Sequence, residues 1–312
     1  MEPRIVYIDC SPMMRELLQE LGGIPGLTVN EGDPTRGELE TLIADAAVVV
    51  NGHSHMDEAM IASAPRLRSI VFLGTGASSY MNIEAAAQIG VRVRNIRGYG
   101  DRTVAEHAFG LLLAAARDTA RMDKDVRSGT WTASEGIELL GCTLGLIGLG
   151  GVGSEMARIA AAFGMRVIAW NRSGIPAGVP AETVGLDELL AQSDVVSLHL
   201  ALTPDTRGLL DAARLQQMKR GALLVNTARG SLIDEAALIA ALKSRHIGHA
   251  ALDVFATEPL PAGHPLTVLD NVTLTSHAAW KSRAASRRLL RIGLDLAAAD
   301  ASSIAAGQPL DA

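Results

Sequence analysis

The sequence has little cysteine, few aromatic residues and no concentration of positive charge. Its two cysteines, Cys10 and Cys142, form no Cys-x-x-Cys pair, which argues against a disulfide framework and a cysteine zinc site. This cysteine usage is typical of a reducing compartment, and we expect a cytoplasmic protein. The net charge of −6, with both signs interspersed, leaves no basic face for nucleic acid and no polybasic cluster for anionic lipid. No apolar run approaches the ~20 residues of a membrane span. We therefore expect neither nucleic acid nor a membrane as a partner.

Aliphatic residues are plentiful. The 312 residues are 48% hydrophobic but only 3% aromatic, which allows a large aliphatic core and favours two domains. In the first hundred residues, short β-rich runs (Ile5–Ile8, Ala47–Val50, "SIVFLG", "VRVRN") alternate with helical patterns such as "PTRGELETLIADA". Such alternation predicts βαβ units around a parallel sheet.

The stretch "DRTVAEHAFGLLLAAARDTARM" predicts one long helix that joins the two domains. A second series of strands begins at Leu144, and the segment from about Ser282 onward is predicted to be helical. The fold class is therefore α/β, with two Rossmann-like, doubly wound parallel-sheet domains and a cleft between them. We assign residues 1–99 and 283–312 to a flavodoxin-like substrate-binding domain and residues 100–282 to a dinucleotide-binding Rossmann domain.

A glycine pattern follows the first strand of this second series. Gly148, Gly150 and Gly153 form G-x-G-x-x-G between an apolar strand and an Ala-rich helix, and "MRVIAW" follows as the next strand. The first glycine permits a tight turn, the second lets the backbone approach a pyrophosphate, and the third lets helix and strand pack closely. Free N–H groups near Gly151 and Val152 would meet the anion. The pattern predicts a dinucleotide site, although glycines also mark ordinary tight turns.

The strand "VIAW" ends in Asn171, Arg172 and Ser173, where an NAD site usually has Asp or Glu. Asn171 removes the repulsion that a carboxylate would exert on a phosphate, and Arg172 supplies a fork for bidentate hydrogen bonds. Ser173 adds a hydroxyl donor. These residues favour NADP(H), with NAD(H) as the alternative if Arg172 is only a solvated loop residue.

Three polar residues follow the later strands: Arg229 in "LLVNTARG", Glu258 in "LDVFATEPLP" and His277 in "NVTLTSHAAW". Open α/β sheets bind ligands at the carboxyl ends of their strands. Each residue alone is weak support, because a single histidine is more often structural and a loop Arg or Glu is more often surface charge.

Several of these segments together resemble the D-isomer-specific 2-hydroxyacid dehydrogenase family. The resemblance runs from about Ala47 to Trp280 and is carried by "TVAEHAFGLLLAAAR", "GCTLGLIGLGGVG", "VSLHLALTPDTRGLL", "MKRGALLVNTARGSLIDEAALIAAL", "ALDVFATEPLP" and "SHAAW". It implies a catalytic set in which His277 passes a proton to the substrate carbonyl, Glu258 favours the protonated imidazole, and Arg229 binds the carboxylate of a 2-keto acid.

The resemblance also implies residues that contact the ligands. Backbone amides around Thr75 and Gly76 would bind the substrate carboxylate together with Arg229 and His277. Val104 would line the nicotinamide, and Asp253 would lie near its carboxamide. We further expect cofactor contacts from Leu149, Thr227 and Ala228.

His53 and His55 in "NGHSHMD" suggest a metal site, but no Cys or carboxylate cluster can be tied to them, so we expect no metal there. The resemblance implies that their loop borders the substrate cleft, where the two histidines would shape specificity. At the places where phosphoglycerate dehydrogenases of the family hold the substrate phosphate with arginines, the sequence has Asn51 and Phe72. A 2-keto acid with a small uncharged tail, glyoxylate or hydroxypyruvate, is therefore favoured for NADPH-dependent reduction to the D-2-hydroxyacid. The alternatives are an NAD-dependent 3-phosphoglycerate dehydrogenase and a non-catalytic, nucleotide-sensing corepressor. The family also implies a homodimer.

Overall fold

The computed structural model describes residues 3–310 and divides into two compact units. One unit comprises the residues up to Gly100 together with those from Ser282 onward, and the other runs from Asp101 to Lys281. Each unit has its own parallel sheet, so the α/β class with two parallel-sheet domains is confirmed. Within the described residues, no helix combines the length and apolar character needed to cross a bilayer.

The first unit contains a five-stranded sheet in the order β2-β1-β3-β4-β5, with every pair parallel. The order reverses between β1 and β3, as in flavodoxin-like sheets. Its strands are β1 (Ile5–Cys10), β2 (Leu27–Glu31), β3 (Val48–Asn51), β4 (Ser69–Phe72) and β5 (Arg92–Asn95). Its helices are α1 (Pro12–Leu21), α2 (Arg36–Ile43), α3 (Glu58–Ala62), α4 (Ile83–Gln88) and, at the end of the chain, α11 (Arg283–Ala305).

Local sequence explains most of these elements. Every residue of β3 and β4 is buried, as expected of parallel strands covered on both faces. Helices α1 to α4 each begin after a polar residue whose side chain accepts a backbone N–H bond, and these residues are Ser11, Thr35, Asp57 and Asn82. Strand β2 is absent from the sequence-based prediction because it lies at the sheet edge and none of its residues is buried.

The second unit contains a seven-stranded sheet in the order β12-β11-β10-β9-β6-β7-β8, and all of its pairs are parallel. Its strands are β6 (Thr143–Ile147), β7 (Arg166–Trp170), β8 (Glu182–Thr183), β9 (Val195–Leu198), β10 (Ala222–Asn226), β11 (Ile247–Leu252) and β12 (Val272–Leu274). Its helices are α5 (Asp101–Ala116), α6 (Thr119–Arg127), α7 (Gly151–Ala162), α8 (Leu186–Gln192), α9 (Ala212–Gln217) and α10 (Glu235–Lys243). The strand order reverses at β6, which lies between β9 and β7, and ligands of such sheets bind at this switch point.

The single helix predicted over "DRTVAEHAFGLLLAAARDTARM" is wrong. The structure breaks it after Ala116, and Asp118 adopts a left-handed backbone with φ 52° before α6 begins. Helix α5 buries much of its apolar surface, whereas α6 has no buried residue. Burial therefore stabilises only the first part of the predicted helix.

A buried ion pair anchors α11 to the first sheet. The carboxylate of Asp300 is almost fully buried and accepts hydrogen bonds from Arg94 (Nη2, 2.6 Å; Nε, 2.9 Å) and from Ser69 Oγ (2.6 Å). Ser69 belongs to β4 and Arg94 to β5. The pair therefore connects the last helix of the chain to two strands of the first unit.

We expect Asp300→Ala to destabilise the first unit by about 3–5 kcal/mol, because it leaves the mostly buried Arg94 guanidinium without this carboxylate. Urea unfolding followed by circular dichroism measures the effect. Asp295→Ala, at an exposed position of the same helix, is the matched control. Equal unfolding midpoints for the two variants would contradict the anchoring role.

Candidate active site

The glycine turn lies directly after β6, at the switch point of the second sheet. Gly148 has φ 99°, which favours glycine, and a Cβ there would lie 2.7 Å from the carbonyl oxygen of His199. A Cβ on Gly153 would overlap the carbonyl of Gly148, so helix and strand can pack this closely only without a side chain. Gly150 has open space where its Cβ would be. The turn thus combines tight packing with an open backbone surface.

The adjacent strand end provides a different polar group. Asn171 Oδ1 accepts a hydrogen bond from the N–H of Leu149 (3.2 Å), and its Nδ2 donates to the carbonyl of Gly174 (2.5 Å) and to Ser173 Oγ (3.1 Å). Asn171 therefore joins the glycine turn to the loop after β7. The side chain of Arg172 is exposed next to it. A bound ribose phosphate at this strand end would meet an arginine and no carboxylate from residues 171–173.

Thr227 provides an independent sign of a ligand. It follows β10 directly, is buried, and its Oγ1 has no hydrogen-bond partner within residues 3–310. A buried hydroxyl without a partner is unfavourable unless a ligand or water satisfies it. Together with the open face of Gly150 and the helix N-terminus at Gly151, this group fits a dinucleotide. Val104, on α5, is half-buried, and Ala228 follows Thr227 in the same loop.

His277 and Glu258 are brought together by the loops after β12 and β11. Nδ1 of His277 lies 2.6 Å from Glu258 Oε2, while Glu258 Oε1 accepts the N–H of Phe255 (2.9 Å). Both side chains are partly exposed, with 41% of His277 and 33% of Glu258 accessible. Because Nδ1 is bonded to the carboxylate, Nε2 is the ring nitrogen that can exchange a proton with a ligand.

Asp253 fixes the turn that carries His277. Its carboxylate is fully buried and accepts hydrogen bonds from Thr275 Oγ1 (2.5 Å) and from the N–H groups of Ala278 and Ala279 (both 2.9 Å). Its carbonyl accepts the N–H of His277 (2.8 Å), which has a left-handed backbone at φ 51°. These bonds stabilise a conformation that is uncommon outside glycine. The buried carboxylate thus holds the His277 turn, and its expected place near the nicotinamide carboxamide stays a prediction.

The hydrogen bonds also change the acidity of Asp253. Burial alone would raise the pKa of this carboxyl, but donors from His107, Thr275, Ala278 and Ala279 outweigh burial and lower the pKa to about 2. His107 lies on α5 and also contacts Thr275 Oγ1 through Nε2 (3.1 Å). Neither His107 nor this network is predicted from the sequence, because the network joins residues on α5, after β11 and after β12.

Arg229 begins a short 3₁₀ turn after β10, next to the loop that carries Glu258. Asn226, the buried last residue of β10, donates from Nδ2 to the carbonyl of Arg229 (2.9 Å) and accepts the N–H of Ala228 (3.0 Å). A Cβ on Gly230 would overlap the backbone of Phe255, so the two loops are in direct contact. The strands β10, β11 and β12 are neighbours, and their carboxyl ends therefore bring Arg229, Glu258 and His277 to one edge of the sheet.

His199 is a second histidine beside the glycine turn. It follows β9, and its Nε2 lies 3.0 Å from Ser197 Oγ. Burial lowers the pKa of His199 to about 4, so it is neutral at physiological pH. The sequence alone does not indicate this position for His199, because its place beside Gly148 depends on the pairing of β6 with β9.

In the first unit, the predicted substrate loops lie at the carboxyl ends of β3 and β4. Thr75 is exposed, and Gly76 precedes a short 3₁₀ helix whose Ala77 N–H is accepted by Asn95 Oδ1 (3.1 Å). The ring of His55 contacts that of Tyr80, with 5.0 Å between the ring centroids. The two histidines of "NGHSHM" thus have separate neighbours.

Two carboxylates that are distant in sequence lie near His53. His53 Nε2 lies 2.6 Å from Asp33, and its Nδ1 lies 3.7 Å from the buried Asp9. Asp9 is already bonded to the backbone N–H groups of Gly52, His53 and Ser54 and to Ser54 Oγ. No cluster of three or more His, Cys, Asp or Glu suited to a metal ion occurs within residues 3–310. Asp9 therefore holds this loop in place.

Comparisons with known proteins agree with this geometry. Residues 109–279 match the family model described as D-isomer specific 2-hydroxyacid dehydrogenase, NAD binding domain. The chain is 41% identical to a glyoxylate reductase of Aeropyrum pernix over 74% of the chain and 72% of that protein. It is 38% identical to a hydroxypyruvate reductase of Thermotoga maritima over 91% of the chain and 94% of that protein.

Two further similarities concern size and cofactor. A D-3-phosphoglycerate dehydrogenase of Archaeoglobus fulgidus is 39% identical over 85% of the chain, but the match spans only 50% of that protein. The chain thus spans about half the length of this relative. Among solved structures, an acyclic imino acid reductase in complex with NADPH and D-Arg superposes with a TM-score of 0.82 at 29% identity, covering 98% of each chain.

The network around Asp253 predicts an acid-dependent contribution to stability. The pKa of this carboxyl is about 2 in the folded protein and close to 3.8 when unfolded. The ionised group therefore stabilises the fold above pH ~4, and the contribution disappears as the pH falls toward 2. We expect Asp253→Asn to lower the free energy of unfolding by about 2 kcal/mol at pH 6 and by roughly half as much at pH 3.

Urea unfolding of wild type and Asp253→Asn at the two pH values measures this difference. Asp187→Asn, on the exposed first turn of α8, controls for a general loss of negative charge. The same destabilisation at pH 6 and pH 3 would contradict a role for the ionised carboxylate.

Proposed function

Because the chain belongs to the D-isomer-specific 2-hydroxyacid dehydrogenase family, we propose that it reduces a small 2-keto acid of the glyoxylate or hydroxypyruvate type to the D-2-hydroxyacid, with NADPH as the favoured cofactor. The observation that carries this proposal is the 2.6 Å contact between His277 Nδ1 and Glu258 Oε2 at the edge of the sheet where Arg229 also lies. An imidazole bonded to a carboxylate, with an arginine at the same end of the sheet, matches the needs of keto acid reduction.

The proposed mechanism divides the work among these three residues. The chemistry that a reduced nicotinamide supplies when bound is a hydride for the carbonyl carbon. His277 donates the proton on Nε2 to the carbonyl oxygen, and Glu258 stabilises the charged imidazole through Nδ1. Arg229 binds the substrate carboxylate with its planar guanidinium and polarises the carbonyl. The keto acid thus gains one hydride and one proton and becomes the hydroxy acid.

The dinucleotide would be held by residues at the carboxyl ends of β6, β7 and β10. The backbone N–H groups at the start of α7 would bind the pyrophosphate, and Thr227 Oγ1 would gain a hydrogen-bond partner. Arg172 and Ser173 support NADPH, because they offer donors to a 2'-phosphate. The NADPH complex of the imino acid reductase fits this choice. Thr75 and Gly76 stay predicted contributors to substrate binding.

A panel of substrates distinguishes the proposal from its alternatives. Oxidation of NADPH and of NADH is followed by absorbance with glyoxylate, hydroxypyruvate, pyruvate and 2-ketoisocaproate, and reduction of NAD+ is followed with 3-phosphoglycerate. Fastest turnover of glyoxylate or hydroxypyruvate supports the proposal. Preference for 3-phosphoglycerate would favour the phosphoglycerate dehydrogenase, and nucleotide binding without any turnover would favour a sensor.

One observation weighs against the phosphoglycerate alternative. Asn51 and Phe72, which stand where that enzyme's phosphate-binding arginines are expected, are both buried, and Asn51 is hydrogen-bonded to the backbone of Ser54. Neither side chain supplies a cation.

The homodimer and the cytoplasmic location stay predictions. Large apolar side chains exposed on the second unit support the dimer: Val126, Trp131, Ile137, Leu140, Phe163 and Val268, with Trp131 91% accessible. Sedimentation velocity tests it, and a species of 32.7 kDa alone would contradict it.

His277→Ala should lower kcat by about 10²- to 10⁴-fold, because it removes the proton donor, while the Kd for NADPH stays unchanged. Steady-state kinetics and fluorescence titration measure the two quantities. The matched control is His246→Ala, a half-buried histidine that precedes β11 at the opposite edge of the sheet. Full activity of His277→Ala would exclude its acid–base role.

Arg172→Ala should raise the Kd for NADPH by about tenfold or more and leave the Kd for NADH nearly unchanged, because only NADPH carries the 2'-phosphate. Isothermal titration calorimetry with both cofactors measures this. Arg220→Ala, an exposed arginine that precedes β10, is the control. Equal losses for the two cofactors would contradict the phosphate assignment.

A further inference from the structure

A carboxylate lies against the start of the helix that follows the glycine turn. Asp101 is the first residue of α5, and a Cβ on Gly151, the first residue of α7, would overlap its carboxylate group. The three atoms nearest to that Cβ position are all side-chain atoms of Asp101. The absence of a side chain at Gly151 therefore leaves the space that the Asp101 carboxylate occupies.

Within residues 3–310, no ion pair joins this carboxylate to a cation. Among the charged groups on the two packed helices, Arg102 pairs with Glu106 (2.7 Å) and Glu155 (3.3 Å), and Arg158 pairs with Glu155 (2.6 Å). None of these ion pairs includes Asp101. Burial, and then the negative charge of Glu155, raise the pKa of Asp101 above its ordinary value.

The Asp101 carboxylate lies beside groups that attract anions at the start of α7. The first N–H groups of an α-helix have no intrahelical acceptor, and the helix dipole adds positive potential there. This is the surface on which the proposed function places the pyrophosphate, and the inference rests on that proposal. A dinucleotide pyrophosphate would therefore bind beside an existing negative charge.

We propose that Asp101 sets the affinity of the dinucleotide site: its carboxylate weakens pyrophosphate binding by repulsion and takes up a proton when the dinucleotide binds. Two adjacent anions disfavour each other, and protonation of the carboxyl removes the repulsion and creates a donor for a phosphate oxygen. Weaker binding speeds release of the oxidised cofactor, a step that limits turnover in many enzymes. Asp101 contributes in this way without contacting the reacting atoms.

Calorimetric binding of NADH tests the proposal. NADH is the probe because the 2'-phosphate of NADPH has its own titration, which would obscure proton uptake. Titrations at pH 6 in two buffers with different ionisation enthalpies give the number of protons taken up with the cofactor. The wild-type protein should take up a fraction of a proton, and Asp101→Asn should take up none from this group.

The affinities provide a second readout. Asp101→Asn should bind both NADH and NADPH about three- to tenfold more tightly, since one unit charge is removed from beside the pyrophosphate of each. Asp101→Ser should behave in the same way while it keeps a side chain favoured at helix starts. Asp125→Asn is the matched control, because Asp125 lies on α6, which follows the far end of the 16-residue α5, a helix about 24 Å long.

Each result decides between the proposals. Unchanged or weaker cofactor binding by both Asp101 variants, or unchanged proton uptake, would overturn the role of Asp101 and leave the proposed function intact. If Asp101 had only a structural role, its substitutions would lower the thermal unfolding midpoint without tightening the binding of either cofactor. If the wild-type protein bound neither NADH nor NADPH, the proposed function would fail, and this inference with it.

Discussion

The position of His277 depends on the buried carboxylate of Asp253. Three donors that follow β12, Thr275 Oγ1 and the N–H groups of Ala278 and Ala279, bind this carboxylate and hold His277 in a left-handed backbone. The imidazole then meets Glu258, which the preceding loop provides. A charge that is itself inaccessible to solvent therefore determines where the partly exposed His277–Glu258 pair lies. The chemistry follows from this arrangement, because only an imidazole fixed through Nδ1 leaves Nε2 available.

The residues proposed to bind the cofactor are positioned by the strand order of the second sheet. Strand β6 lies where the strand order reverses, so the turn of glycines after it opens beside the ends of β7 and β10. Asn171 connects the turn to the loop after β7, and Thr227 leaves a buried hydroxyl for a ligand. The proposed cofactor-binding residues and the proposed catalytic residues thus lie at the carboxyl ends of strands of one sheet, in one unit. The Asp101 carboxylate lies against the start of α7, where the pyrophosphate is proposed to bind.

Local patterns predict much of this architecture. The apolar strands of both sheets and the glycine turn can be read from short segments, because burial and backbone geometry act locally there. The break at Asp118 cannot, since apolar spacing continues through it while burial does not. The Asp101–Gly151 contact and the bonds of Asp253 to the His277 turn join residues distant in sequence, so only the packing of α5 and the pairing of β11 with β12 reveal them. The contacts of His53 with Asp9 and Asp33 also join residues that are distant in sequence.

The central claim is that His277 and Glu258 act as one unit in proton transfer. A double-mutant cycle on kcat/KM for the best keto acid, with His277→Asn, Glu258→Gln and the combined variant, tests it most directly. Residues that act together show strongly non-additive losses. We expect kcat/KM of the combined variant to be no lower than that of His277→Asn alone. Losses that multiply in the combined variant would contradict it, because the two side chains would then contribute independently.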